Sequence, residues 1–235
     1  AFETKILWEG EETVKRQEPD GTIVLMKKKT ASLPHTVGWP VEDREDWEQL
    51  KEERFRLDME GRLAPNWSEQ LERYAGRHWP LVIGGPFLGV FSSLRTLFGF
   101  EKLMYTFFDD PELIHDVLSH LTELWLYIFE NVFAQVQPDY AYYWEDMSYK
   151  AGPMVSPRIF CEFLMPVYKE INGLFASHDI DIVLLDTDGN VWDLIPLFLE
   201  GGVTGLYPFE VRAGMDVAEV REEYPSLQIL GGIDK

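Results

Sequence analysis

Asp181-Ile-Val-Leu-Leu-Asp-Thr-Asp-Gly-Asn190, continued by Val191-Trp-Asp-Leu-Ile-Pro-Leu-Phe-Leu-Glu-Gly-Gly202 and Gly205-Leu-Tyr-Pro-Phe-Glu210, reads as strand, loop, helix and strand. Ile182 to Leu185 is an apolar run without polar alternation, the pattern of a parallel strand buried on both faces. Gly201 and Gly202 supply a left-handed stop for the helix before the next apolar run. Asp186 and Asp188 therefore fall where the first strand ends. In parallel α/β folds the loops after the strand carboxyl ends line the ligand site, so these carboxylates are placed for chemistry rather than packing.

Working outward in both directions, strand and helix alternate. Leu81-Val-Ile-Gly-Gly-Pro-Phe87 is a short buried strand ending in glycines that let backbone approach a ligand, or that simply make a turn. Asp110-Pro111 opens a long helix whose core stripe runs from Leu113 and Ile114 through Val117, Leu121, Trp125 and Ile128 to Phe133. Tyr140-Ala-Tyr-Tyr-Trp144 is an aromatic strand ending in Glu145-Asp146, and Ser156-Pro157 starts another helix, broken near Pro166. Asp216-Val-Ala-Glu219 begins a short helix, and Leu227 to Leu230 gives a last strand.

Before this alternation the chain has a different character. Thr13 to Gln17 and Thr22 to Lys28 flank a Pro-Asp-Gly turn and predict a β-hairpin. Two helices follow, one from Asp46 and one from Ser68 to Arg77, with Asn66 placed to cap the second. The expected organisation is a hairpin and peripheral helical insertion over residues 1–80, and one α/β domain over 81–235. Because Asp146, Asp188, Glu210 and Asp234 each fall at or beyond the end of a different strand, a closed (β/α)8 TIM-type barrel would converge them on one mouth, whereas an open sheet would spread them along an edge. The barrel is the expected fold. The chain starts at Ala1 and stops just after an apolar run, so it is expected to lack parts of that barrel at both ends.

Composition narrows the partners. The 235 residues hold 41 acidic and 21 basic side chains, a formal net charge of −20, which argues against nucleic acid or an anionic membrane and for small-molecule or protein partners. The sequence has no run long and apolar enough for a membrane span and no signal-peptide pattern, and Cys161 is its single cysteine, so a cytoplasmic location is expected. Glycine-rich nucleotide loops, Gly-X-Ser-X-Gly, His-Glu-X-X-His and Cys-X-X-Cys are absent from the sequence. His115 and His120 are five apart on one helix and fit surface or packing roles, and Cys161 fits a core position. Asp186-Thr-Asp-Gly-Asn190 offers hard oxygen ligands for a divalent metal, but a solvated loop of turn formers has the same composition. Glu145 and Asp146 are adjacent in a strand and point to opposite faces, so one of them faces the mouth. A carboxylate crowded there by aromatic rings and other acids has its proton affinity raised, which suits general acid or base work.

Six motifs occur in a particular order: Tyr143-Trp-Glu-Asp-Met147, Gly152-Pro-Met-Val-Ser-Pro157, Asp186-Thr-Asp-Gly-Asn190, Glu200-Gly-Gly-Val203, Gly205-Leu-Tyr-Pro208 and Gly231-Gly-Ile-Asp234. Together they resemble the C-terminal two thirds of the uroporphyrinogen decarboxylase superfamily. That resemblance implies a (β/α)8 barrel longer than this chain. It implies either cofactor-free decarboxylation of a tetrapyrrole, a lyase reaction, or methyl transfer to or from a corrinoid carried by a partner protein. Asp146 stands where the decarboxylases carry a serine and Ser92 about where they carry a binding tyrosine, and an acidic mouth would repel a polycarboxylate. Zinc methyltransferases of the superfamily carry His-X-Cys-Gly where this chain has Asp186-Thr-Asp-Gly189, so any metal here would be held by oxygen rather than thiolate. The expectation is therefore methyl transfer between a small methylated substrate and a corrinoid. The alternatives are uroporphyrinogen decarboxylase activity, with no cofactor, and a non-catalytic tetrapyrrole-binding barrel. Asp146, Asp188 and Glu210 are the expected catalytic residues, Tyr143, Trp144, Asn190 and Asp234 the expected substrate contacts, and Asp186, Asp188 and Glu210 the expected ligands of a divalent metal.

Overall fold

A computed structural model describes residues 2–29 and 33–234, leaving Ala1, Thr30, Ala31, Ser32 and Lys235 outside the described residues. In chain order its first half comprises β1 (Lys5–Glu9), β2 (Thr13–Gln17), β3 (Ile23–Lys27), β4 (His35–Gly38), α1 (Arg44–Glu53), α2 (Trp67–Ala75), β5 (Val82–Gly85), α3 (Val90–Phe98), α4 (Phe100–Asp109) and α5 (Pro111–Phe133). There follow β6 (Tyr140–Trp144), β7 (Ser148–Tyr149), β8 (Gly152–Pro153), α6 (Pro157–Ile159), α7 (Met165–Ser177), β9 (Val183–Asp186), α8 (Ile195–Glu200), β10 (Gly205–Tyr207), α9 (Val217–Glu223) and β11 (Gln228–Ile229). Two compact units emerge, one of residues 1–56 with 93–117, the other of residues 57–92 with 118–235.

In the first unit the predicted hairpin is the centre of a four-stranded antiparallel meander, β1-β2-β3-β4. Its turn closes because Gly21 adopts φ +91° while Asp20 accepts from both the backbone and the hydroxyl of Thr22. The helix expected from Asp46 begins earlier, at Arg44, because the Asp43 carboxylate accepts from the Glu45 and Asp46 backbone N–H groups. Trp47 anchors it, fully buried, with its indole N–H on Asp116 at 2.7 Å and Lys51 paired to the same carboxylate at 3.0 Å. That pairing holds Asp116 below the usual carboxylate range against the opposing effect of burial, with hydrogen bonds from Lys51 and Trp47 as the lowering causes.

The second unit is built on a five-stranded sheet in the order β11-β10-β9-β6-β5, every neighbouring pair parallel. Each strand lies beside the strand of this sheet that follows it in the chain. A doubly wound sheet reverses direction at a switch point, and this monotonic order has no such reversal. Among the described residues β5 and β11 are its two edges, and the sheet is open. Alternation divides the central strands β6 and β9 cleanly. Ala141, Tyr143, Val183, Leu185 and Leu206 are buried, and behind them lies an aromatic core of Phe129, Phe133, Phe160, Tyr168, Phe175 and Phe198 with neighbouring ring centroids 5.3 to 6.2 Å apart. The other face carries Tyr140, Tyr142, Trp144, Leu184, Asp186 and Tyr207 and is half-open, with Trp144 40 % exposed.

The helices obey their local chemistry. All of the predicted α5 stripe is buried except Ile128, which is half-buried. The break near Pro166 is a π turn over Phe160–Leu164, which gives room for a proline that lacks an N–H and whose ring crowds the preceding turn. Asn66 precedes α2 but makes no cap with its side chain, whose amide instead donates to Glu69 at 3.4 Å. No described helix is long and apolar enough to cross a membrane.

Candidate functional site

At the carboxyl ends of the three central strands the register sets Trp144 beside Asp186 and Asp186 beside Tyr207. Tyr142, two residues before Trp144, shares their face. The Tyr142 hydroxyl donates to Asp186 Oδ2 at 3.0 Å and accepts from the Tyr207 hydroxyl, and the two tyrosine rings lie 5.6 Å apart, tilted by 40°. Three aromatic side chains thus share one face with a carboxylate, and a hydrogen-bond relay runs from Tyr207 through Tyr142 to Asp186. Burial, foremost, pushes both phenols above their ordinary values; for Tyr207 the hydrogen bond to Tyr142 adds to it, and for Tyr142 the Asp186 charge does. Both hydroxyls therefore stay protonated at neutral pH and act as hydrogen-bond donors.

The loops beyond the strands hold the remaining expected residues. Glu210 Oε2 accepts from the Gly189 backbone N–H at 2.9 Å, tying the loop after β10 to the loop after β9. Gly189 is needed there: its φ is +85°, and a Cβ would meet the Ser148 carbonyl oxygen at 2.5 Å. The Asn190 side-chain oxygen accepts from the Trp192 backbone and its amide donates to the Ala213 carbonyl. Asp234 is ion-paired with Arg212 at 2.8 Å, both largely exposed. Asp146 is half-buried just past β6, and Asp188 is exposed between Thr187 and Gly189.

Three expectations differ from where the structure places the residues. Tyr143 is fully buried on the helix side of the sheet, where it donates to Asn172 Oδ1 at 2.9 Å and packs 5.2 Å from Tyr168, so it does not border the open face. Nor does the structure gather Asp186, Asp188 and Glu210 into a metal-ligand set. Among the described residues no group of three or more His, Cys, Asp or Glu side chains is placed to hold a metal ion; Asp186 accepts from the Tyr142 hydroxyl and Glu210 from the Gly189 backbone. Cys161, expected in the core, is exposed.

Glu145 turns away from the open face. It is 2 % exposed and accepts from the Val90, Phe91 and Ser92 backbone N–H groups at 2.5, 3.3 and 2.9 Å and from the Tyr168 hydroxyl at 2.6 Å. The carboxylate caps the first turn of α3, where the unpaired N–H groups and the helix dipole favour negative charge. Burial nonetheless raises its pKa to about 7, against the lowering effect of those four hydrogen bonds. The backbone on either side is pinned as well: Trp144 N–H donates to the Leu88 carbonyl, Ser92 Oγ to the Trp144 carbonyl, and Glu145 N–H to the Asp186 carbonyl. Trp144 is held in the open row by its neighbour's buried anchor.

No family model matches the chain, and no curated protein does. Among solved structures, a methyltransferase from Methanosarcina mazei is similar to it in fold, with a TM-score of 0.56 at 19 % sequence identity over 85 % of this chain. This chain spans 56 % of that protein's length. The likeness is one of fold and agrees with the parallel sheet described above.

Proposed function

We propose that the chain is part of a (β/α)8-barrel enzyme of the uroporphyrinogen decarboxylase superfamily that transfers a methyl group between a small methylated compound and a corrinoid carried by a separate protein. The observation that carries this is the aromatic and carboxylate row at the carboxyl ends of parallel strands that neighbour one another in chain order, the edge on which parallel α/β folds place their chemistry. The fold likeness to a methyltransferase supports it. In this proposal Asp186 and Tyr142 orient the substrate, Trp144 and Tyr207 enclose it, and Asp146 and Asp188 give the rim its negative charge. Glu210 fixes the loop through Gly189. The acidic rim disfavours a tetrapyrrole polycarboxylate. No metal is assigned a step, because the carboxylates of the described residues do not form a ligand set.

The test is a spectroscopic assay of the complete protein with a reduced corrinoid and a panel of methylated alcohols, ethers and amines. Methylation of the corrinoid is expected with at least one donor, and Asp186→Asn is expected to lower turnover by at least about tenfold by weakening the charge that orients Tyr142. Conversion of uroporphyrinogen to coproporphyrinogen without corrinoid methylation would overturn the proposal in favour of the decarboxylase.

A further inference from the structure

Three aromatic rings and one carboxylate on an acidic molecule are the ingredients with which proteins recognise methylated ammonium groups: the ring faces attract the diffuse positive charge carried by the N-methyl groups, and the carboxylate balances it. Here Trp144, Asp186 and Tyr207 stand abreast on adjacent strands, Tyr142 contacts Tyr207 and Asp186, and Trp144 is 40 % exposed toward the open side of the sheet. We propose that this row is a binding site for a methylated ammonium cation, so that the methyl donor is a quaternary or tertiary ammonium compound rather than a neutral alcohol or ether. The donor's fate rests on the methyl-transfer reading; the binding does not.

The leaving-group chemistry points the same way. An alcohol or ether leaves as an oxyanion unless a proton reaches its oxygen, and the two hydroxyls at the row have raised pKa values that make them poor acids. Glu145, whose pKa lies near neutrality, is buried on the other side of the strand and cannot serve. A quaternary ammonium donor needs no proton. Its C–N bond breaks with the electron pair kept on nitrogen, which departs as a neutral amine, while the methyl carbon takes its new bond from the electron pair of the acceptor, a reduced corrinoid in this reading. The hydroxyl relay then serves to hold the Asp186 carboxylate in place rather than to deliver a proton.

The experiment titrates the protein with choline and, separately, with 3,3-dimethyl-1-butanol, its uncharged carbon isostere, by calorimetry and by proton NMR of the methyl groups. Choline is expected to bind at least about tenfold more tightly than the isostere, with its N-methyl resonance shifted upfield by the rings. Trp144→Leu and Asp186→Asn are each expected to weaken choline by about tenfold or more while leaving the circular dichroism spectrum unchanged, Trp144 being half-exposed. Equal affinity for the isostere, absence of the upfield shift, or unchanged affinity in folded Trp144→Leu protein overturns the site. Choline binding without corrinoid methylation would sink the methyl-transfer reading and leave the site standing. Methylation from neutral donors with no choline binding would sink the site alone.

Discussion

Replacing Glu145 by alanine is expected to destabilise the protein by about 3–5 kcal/mol, the range for removing one partner from a buried polar network. The substitution leaves the Val90, Phe91 and Ser92 N–H groups and the Tyr168 hydroxyl without their shared acceptor in a buried place. Chemical denaturation at fixed pH reads the loss, and a change below about 1 kcal/mol would show that water or a rearranged first turn of α3 replaces the carboxylate. The same group gives stability a pH dependence of definite sign. Its folded pKa of about 7 lies above the ordinary carboxylate value, so between pH 4.5 and 7 the folded protein keeps a proton that the unfolded chain has lost. Stability from this group is therefore fully present below the unfolded value and falls as pH rises through 7, by roughly 3 kcal/mol in all. Glu145→Gln keeps the shape without the charge. It is expected to flatten that part of the stability profile, and an unchanged slope would assign the dependence to another group.

Gly84→Ala is expected to lower stability by about 2–4 kcal/mol and to disturb the open row at the same time. Gly84 sits at φ +97°, a conformation that alanine adopts only under strain, and a Cβ there would run into the backbone carbonyl oxygen of Tyr142 on the paired strand and approach Leu88 at 3.0 Å. A backbone oxygen in a parallel ladder has little freedom to retreat, so β5 must move away from β6 or the pairing must break. Thermal unfolding would fall by roughly 5–15 °C at that loss for a domain of this size. A variant that unfolds like the wild type would show that the close approach of β5 to β6 is not needed.

Much of this architecture is written in residue types and their spacing. The unalternating run Ile182 to Leu185, the Asp110-Pro111 start and the Asp216 cap each dictate an element found where the chemistry puts it, with strand bounds differing by a residue or so. The site was legible as an edge but not as a set of side chains. Trp144 and Asp186 are on the open face, whereas Tyr143 is not: adjacent strand residues point in opposite directions, and that rule alone selects Tyr142 and Trp144 over Tyr143. Tyr207 escapes notice because its role depends on register with Asp186, a pairing across strands that no local pattern reveals. Glu145 is the reverse case. A carboxylate beside a tryptophan at a strand end looks like a mouth residue, yet the first turn of α3, distant in the chain, claims it as a cap. Strands β1 and β4 flanking the predicted hairpin were equally hidden, since Lys5–Glu9 and His35–Gly38 are largely exposed and carry weak alternation.

The one-directional strand order has a kinetic meaning. In a sheet where every hydrogen-bonded neighbour is also the next strand of that sheet in the chain, assembly can proceed by accretion, each strand docking onto one already in place. The steps are not equally easy. A single short α-helix separates β9 from β10 and another separates β10 from β11, whereas three α-helices, α3, α4 and α5, lie between β5 and β6. Closing the longer loop carries the greater entropic penalty. The nucleus therefore belongs to Val183–Asp186 and Gly205–Tyr207, whose amides should be shielded first in pulse-labelled hydrogen exchange, and β5 joins last as the late-forming flank of a sheet that grows outward from its carboxylate-bearing centre.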